Sequence, residues 1–202
     1  MKRLVMLLVL VGCGGPQANI PKSLLIRLPR DARTAVYDHE NDVVIAKSHR
    51  DEAVDMMHRL AAERSQLSDR QKRMETRLKK MGADANRISL ARKTLDAKRE
   101  YLDAALKAAD GQVDASNAEI ASARARLELT KKQQLLRYGL ASEQQLQPFE
   151  AAVKNAETHG RSADRRALDL KTTALKEFEK WKQNEEKYAS ATGDFDAGVW
   201  ID

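Results

Sequence analysis

The chain has 202 residues, of which 33% are charged and 4% aromatic, with a formal net charge of +6. Alanine, leucine, lysine, arginine and glutamate dominate, a composition of long or coiled helices that argues against a sheet-based domain or an aromatic-rich core. The single cysteine, Cys13, excludes an internal disulfide, so stability has to come from helix packing. Basic residues are interleaved with acidic ones along the chain, which describes a solvated helix surface rather than a nucleic-acid-binding stripe.

In chain order, residues 1–12 read as a signal peptide. Lys2 and Arg3 provide the positive start, and Leu4 to Val11 is an unbroken apolar run of eight residues. That run is too short to span a bilayer but suits a signal-peptide core. The run Leu10-Val11-Gly12-Cys13 resembles the lipobox of bacterial lipoproteins. The resemblance implies cleavage before Cys13, a diacylglyceryl group on its sulfur and acylation of the new amine. Gly14, where aspartate would favour inner-membrane retention, implies the periplasmic face of the outer membrane. One acyl chain binds marginally, whereas two or more hold stably. Without Lys2 and Arg3 the net charge falls from +6 to +4.

Residues 13–30 carry Pro16, Pro21 and Pro29 and read as a lipid-anchored, extended tether. Within it the apolar piece Ser23 to Leu28 is expected to form a short strand or to lie on a membrane or partner. Residues 31–190 form the expected coiled-coil region, with Asp31 as a helix cap and no further proline before Pro148. Leu60, Leu67, Met74, Met81, Ile88, Leu95, Leu102 and Ala109 recur every seven residues. A second series runs from Met57 through Arg64, Gln71, Leu78, Ala85, Arg92, Arg99, Leu106, Val113 and Ile120 to Leu127. Together they make a coiled-coil seam. The polar members Arg64, Gln71, Arg92 and Arg99 either set register or mark places where a partner helix is missing. The frame passes Gly82 and Gly111 without a shift, which favours one helix from about residue 31 to 138. Such a helix would leave the Met57–Met81 seam without a partner in the chain, implying self-association through residues 57–81. The alternative is a three-helix up-down-up bundle. Lys79-Lys80-Met81-Gly82 resembles a helix end, with Asp84 capping the next helix.

A turn at 139–142 is clearer, with Gly139 ending one helix and Ser142 and Gln145 in capping-box spacing at the start of the next. Pro148 then falls near a helix start. A further stripe follows at Leu146, Phe149, Val153, Ala156, Gly160, Ala163, Ala167, Leu170, Ala174, Trp181 and Tyr188. Its small members allow close approach of the two arms of an antiparallel hairpin. Phe178, Trp181, Tyr188, Phe195 and Trp200 are expected at the open end of that hairpin, away from Gly139. The tail, residues 191–202, is turn-rich and acidic and would either dock on a partner or fold back.

No catalytic constellation emerges. His39, His49, His58 and His159 do not stand in metal-pair spacing, and Asp38 to Asp42 lacks the glycine of a calcium loop. No cofactor and no enzymatic activity are therefore expected. Lys131 to Ala152 resembles the hairpin tip of periplasmic adaptor proteins of tripartite efflux and secretion systems. Lys131, Leu135 and Ser142 keep that family's spacing, with lysine in place of arginine, while Gln147 and Pro148 depart from its pattern. The resemblance implies that Lys131, Leu135, Gly139 and Ser142 contact a partner such as an outer-membrane channel. The expectation is an all-α, outer-membrane lipoprotein acting as a periplasmic spacer or docking arm in an envelope assembly. The alternatives are a membrane-anchored holdase chaperone and a protein that binds peptidoglycan non-covalently.

Overall fold

The computed structural model describes residues 22–140, 142 and 146–193. The signal run, Cys13, Gln145, Phe195 and Trp200 lie outside them. The described residues form four helices and no strand: α1 (Lys22–Ile26), α2 (Arg30–Lys80), α3 (Ala85–Arg137) and α4 (Gln147–Thr192). The protein is all-α, with long helices packed against one another.

The expected single helix over 31–138 is two helices, and the break lies at Gly82. Gly82 has φ +69°, the left-handed conformation glycine tolerates best. Its N–H donates to the Lys79 carbonyl at 3.1 Å, and the Ala83 N–H reaches back to the Leu78 carbonyl at 3.0 Å. These two bonds close α2 as a Schellman cap, with Arg77, Lys79 and Lys80 set against the negative end of its dipole. Asp84 opens α3, its Oδ1 accepting the Arg87 N–H at 2.7 Å. The seam keeps step because residues 81–84 make up four positions, close to the 3.6 of one helical turn. An uninterrupted frame therefore did not require an uninterrupted helix.

The chain divides into two compact units, one within Met1–Val44 and Glu119–Thr158, the other within Ile45–Ala118 and His159–Asp202. Each long helix contributes a segment to both. In the second unit, α2 and α3 are antiparallel. As the α2 partner moves from Glu75 back to Arg64, the α3 partner moves from Arg92 forward to Asp103. The core there is Leu67, Met74, Leu78, Ala91, Leu95, Leu102 and Tyr188. Each leucine buried this fully contributes roughly 1.5–3 kcal/mol.

The seam's polar members each find a polar partner on the facing helix. Arg92 makes two 2.8 Å bonds to the Glu75 carboxylate, Arg99 donates to Gln71 Oε1 at 2.8 Å, and Arg64 reaches Asp103 Oδ1 at 2.6 Å. They fix register between α2 and α3, and the partner helix is present at each of them. Leu67, Met74 and Leu78 are likewise covered from within the chain. The reason for expecting an unpartnered 57–81 seam is thereby removed.

The α3–α4 contact in this unit uses small residues, as the stripe on α4 anticipates. Ala115, Ala118, Ala163 and Ala167 form one layer. A Cβ on Gly111 would meet Leu170 Cδ1 at 2.7 Å, so glycine permits the close approach. Tyr101 stacks on Trp181 at 5.6 Å and meets the edge of Phe178 at 5.3 Å. Tyr188 is fully buried beside the α2–α3 turn, where Arg87 Nε donates to its hydroxyl at 3.4 Å.

In the first unit, Ser23 to Leu28 is neither strand nor free peptide. Leu24 and Leu25 of α1 pack with Leu28, Ala32, Leu135 and Tyr138. Asp31 does not cap α2, because the Arg33 N–H bonds the Pro29 carbonyl at 3.0 Å and the helix begins at Arg30. Asp31 lies in the first turn, where the dipole still favours its charge.

Candidate functional site

Of the sequence-predicted contact residues, Gly139 and Ser142 lie in the α3–α4 turn and Lys131 and Leu135 in the last two turns of α3, all in the first unit. Gly139 has φ +72°. Its N–H bonds the Leu136 carbonyl at 2.9 Å, and the Leu140 N–H bonds the Leu135 carbonyl at 2.8 Å, a second Schellman cap. On the far side, α4 starts at Gln147, later than the Ser142 capping-box reading places it. The Leu146 carbonyl accepts both the Phe149 N–H at 2.9 Å and the Glu150 N–H at 3.1 Å. Pro148 falls in that first turn, where a missing N–H costs nothing. Below the turn, Lys132 Nζ lies 5.8 Å from the Phe149 ring and Arg126 bonds Glu157 at 2.7 Å, tying α3 to α4.

The four residues of the expected contact surface separate into two kinds. Gly139 and Ser142 are exposed. Leu135 is 2% exposed, buried under Leu28 and Ala32. Lys131 is half-buried, with its Nζ bonded to Glu128 Oε1 at 3.0 Å. The accessible surface is therefore the turn itself, with Leu140 (38% exposed) between Gly139 and Ser142. Sequence spacing missed the other wall of this site. α1 and the start of α2 lie against the end of α3, and the Tyr138 hydroxyl donates to Asp31 Oδ2 at 3.3 Å. Ile26 is 70% exposed at the end of α1. Arg27, Arg30 and Arg137 are exposed at the same end. Nothing local to Ser23–Leu28 signals this placement, because its inward residues pack on Leu135 and Tyr138, more than a hundred positions away.

No family model, curated protein or solved structure matches this chain. The site has therefore to be argued from its own geometry.

A second cluster lies in the other unit. Lys98, 2% exposed, places Nζ 3.2 Å from Glu63 Oε1 and 4.8 Å from the Trp181 ring centre. Lys182 Nζ lies 4.7 Å from the same ring. Burial raises the Tyr101 hydroxyl above the ordinary phenol range, and the Glu63 charge adds to the effect. Each cation meets a ring or a carboxylate, and the cluster locks α2, α3 and α4 together. The signal for it was the row Thr94, Lys98, Tyr101 and Ala105 on α3, whose 3–4 spacing marks a face distinct from the Leu95–Leu102 seam.

Among the described residues no group of three His, Cys, Asp or Glu side chains could hold a metal ion. His39 Nδ1 lies 2.9 Å from Asp42 Oδ2 on the surface of α2, one turn apart. A surface concavity along Gln183, Glu186, Lys187, Ser190 and Ala191 belongs to one face of α4. No described helix is long and apolar enough to cross a membrane.

Proposed function

We propose that the protein is an outer-membrane lipoprotein that uses a packed helical bundle as a non-enzymatic spacer or docking arm in a periplasmic envelope assembly. Cys13 is the lipidated residue, and the exposed turn at Gly139, Leu140 and Ser142 is the contact surface. The observation that carries this reading is the apolar run ending in Leu10-Val11-Gly12-Cys13. The fold supports the second half of it. The seam's arginines, the aromatic residues of α4 and Lys98 are all engaged in joining helices, the use expected of a structural arm.

The test is metabolic labelling with a palmitate analogue in a bacterial host, for the wild-type chain and for Cys13→Ser. Incorporation into the wild type alone, with recovery in the outer-membrane fraction, is the expected result. Equal labelling of both, or recovery of the wild type as a free periplasmic protein, refutes the anchor. A photo-crosslinker at Ser142 then identifies what the turn touches. Capture of an envelope component from Ser142 but not from exposed positions on α4 is expected; equal capture from both removes the turn's special role.

A further inference from the structure

We infer that the α3–α4 turn faces the membrane in which Cys13 is anchored, and that the end formed by α1 and this turn rests on anionic lipid headgroups. The inference depends on the lipoprotein reading and names the partner of the same exposed turn.

Nine residue steps separate Cys13 from Lys22, the first residue of α1. Fully extended they span at most about 30 Å. α1 is not free to move away from the turn, because Leu24 and Leu25 pack with Leu135 and Tyr138. The turn begins at the next residue, Gly139. A lipid on Cys13 therefore holds the turn close to the bilayer surface, whatever length of helix follows.

At this end Ile26 is 70% exposed and Leu140 is 38% exposed. Arg27, Arg30 and Arg137 are exposed at the same end, and among the described residues none of these three has a carboxylate partner. Asp31, an exposed acid beside them, accepts the Tyr138 hydroxyl. Two apolar side chains flanked by guanidinium groups without carboxylate partners match an interface of acyl chains below and phosphates above.

The test uses the full acylated lipoprotein in phosphatidylethanolamine–phosphatidylglycerol vesicles. Ile26→Cys, Leu140→Cys and Val44→Cys are each labelled with an environment-sensitive fluorophore. Acylation blocks the Cys13 sulfur, so one label per chain is expected, and two labels mean the anchor is absent. Val44 is exposed in the same unit, 14 residues along α2 from Arg30, or about 21 Å of helix. The expected result is a blue shift, with quenching by a lipid-borne quencher several-fold stronger at 26 and 140 than at 44. Replacing phosphatidylglycerol with phosphatidylcholine, or raising the salt, should weaken it. Single labelling and flotation with vesicles, while 26 and 140 stay in water, overturns the inference and leaves the anchor standing. Equal quenching at all three sites overturns it in favour of a bundle lying flat. Shielding of 26 and 140 only when an outer-membrane channel is added overturns it in favour of a protein partner. Double labelling, or failure to float, overturns both readings.

Discussion

Replacing Gly82 and Asp84 together with alanine should turn this chain into a domain-swapped dimer. The native turn depends on two local features. Gly82 is left-handed at φ +69°, and nothing lies within 4 Å of an added Cβ, so the cost of alanine there is purely a matter of backbone. That cost is about 1 kcal/mol or slightly more. Asp84 accepts the Arg87 N–H at 2.7 Å, and losing such a cap costs about 1 kcal/mol. The straightened form moves the other way, since glycine to alanine in a helix gains about 1 kcal/mol. The shift is therefore about 3 kcal/mol per chain. Two chains exchange, giving about 6 kcal/mol, or roughly a 10⁴-fold rise in the dimerisation constant at 1.4 kcal/mol per decade. The seam allows the exchange because its frame continues across the turn. A continuous α2–α3 helix would present Leu67, Met74 and Leu78 to the Leu95 and Leu102 of a second copy, with Arg64 and Glu75 meeting Asp103 and Arg92 as they do within one chain. Self-association through residues 57–81 is thus available to the swapped form. Sedimentation velocity across a concentration series measures it directly. A double variant that stays monomeric throughout, and is destabilised by only about the 2 kcal/mol lost at the turn, refutes the argument that the continuous frame is usable.

Leu102→Ala, at a fully buried core position, should lower stability by about 2–5 kcal/mol in urea melts followed by circular dichroism; a loss under about 1 kcal/mol would mean the core can collapse around the site. Gly111→Ala should be close to neutral by calorimetry, because a helix gain of about 1 kcal/mol opposes a Leu170 rotamer shift of about 0.5–1.5 kcal/mol. Gly111→Leu, with the Ala167 backbone at 3.6 Å, should instead destabilise by about 1–3 kcal/mol or more, and equal behaviour of the two variants would contradict the close approach. The hydrogen bonds from Arg92 hold the Glu75 carboxyl below the usual carboxylate range. Its contribution is present above the unfolded value of about 4.3 and disappears as pH falls through the lower folded value, so Glu75→Gln should cost stability at pH 7 and match the wild type in strong acid. Burial raises the Tyr101 phenol, so its contribution is complete below about pH 10 and fades as pH rises through the folded value. Tyr101→Phe should flatten that alkaline decline, and an unchanged slope would assign the decline to other groups.

Much of the helical packing could be read from periodicity alone. Along the stripe from Phe149 to Tyr188, Phe149, Ala163, Ala167, Ala174, Trp181 and Tyr188 are buried and Val153, Ala156, Gly160 and Leu170 half-buried, and the α2 residues Leu67, Met74 and Leu78 face inward as the seam requires. Gly139 was legible as a helix end because glycine follows the last position of its stripe and a new stripe begins beyond it. Gly82 carried the same chemical signal, with two lysines ahead of it and an aspartate cap behind. Periodicity concealed it, because a turn of four residues advances the heptad count by nearly one helical turn. Where cap chemistry and phase disagree, the caps are the better guide. Hydrogen bonds close a helix at particular atoms, whereas phase can survive any insertion close to a multiple of 3.6.

The candidate site was less legible, for a different reason. Its residues were picked by spacing along α3 and α4, and spacing along a hairpin carries no information about a third element. Whether Leu135 faces a partner or the chain's own interior depends on α1, a five-residue helix too short to show a period. Leu24, Leu25 and Leu28 could equally have been the apolar residues of a free tether. Their burial against Leu135 converts one presumed contact residue into core and leaves Gly139, Leu140 and Ser142 as the surface. In the proposed lipoprotein it also couples the anchor to the turn. An acylated Cys13 would lie within the reach of the few residues before Lys22 from the turn that α1 grips, and the lengths of α2, α3 and α4 do not enter into it.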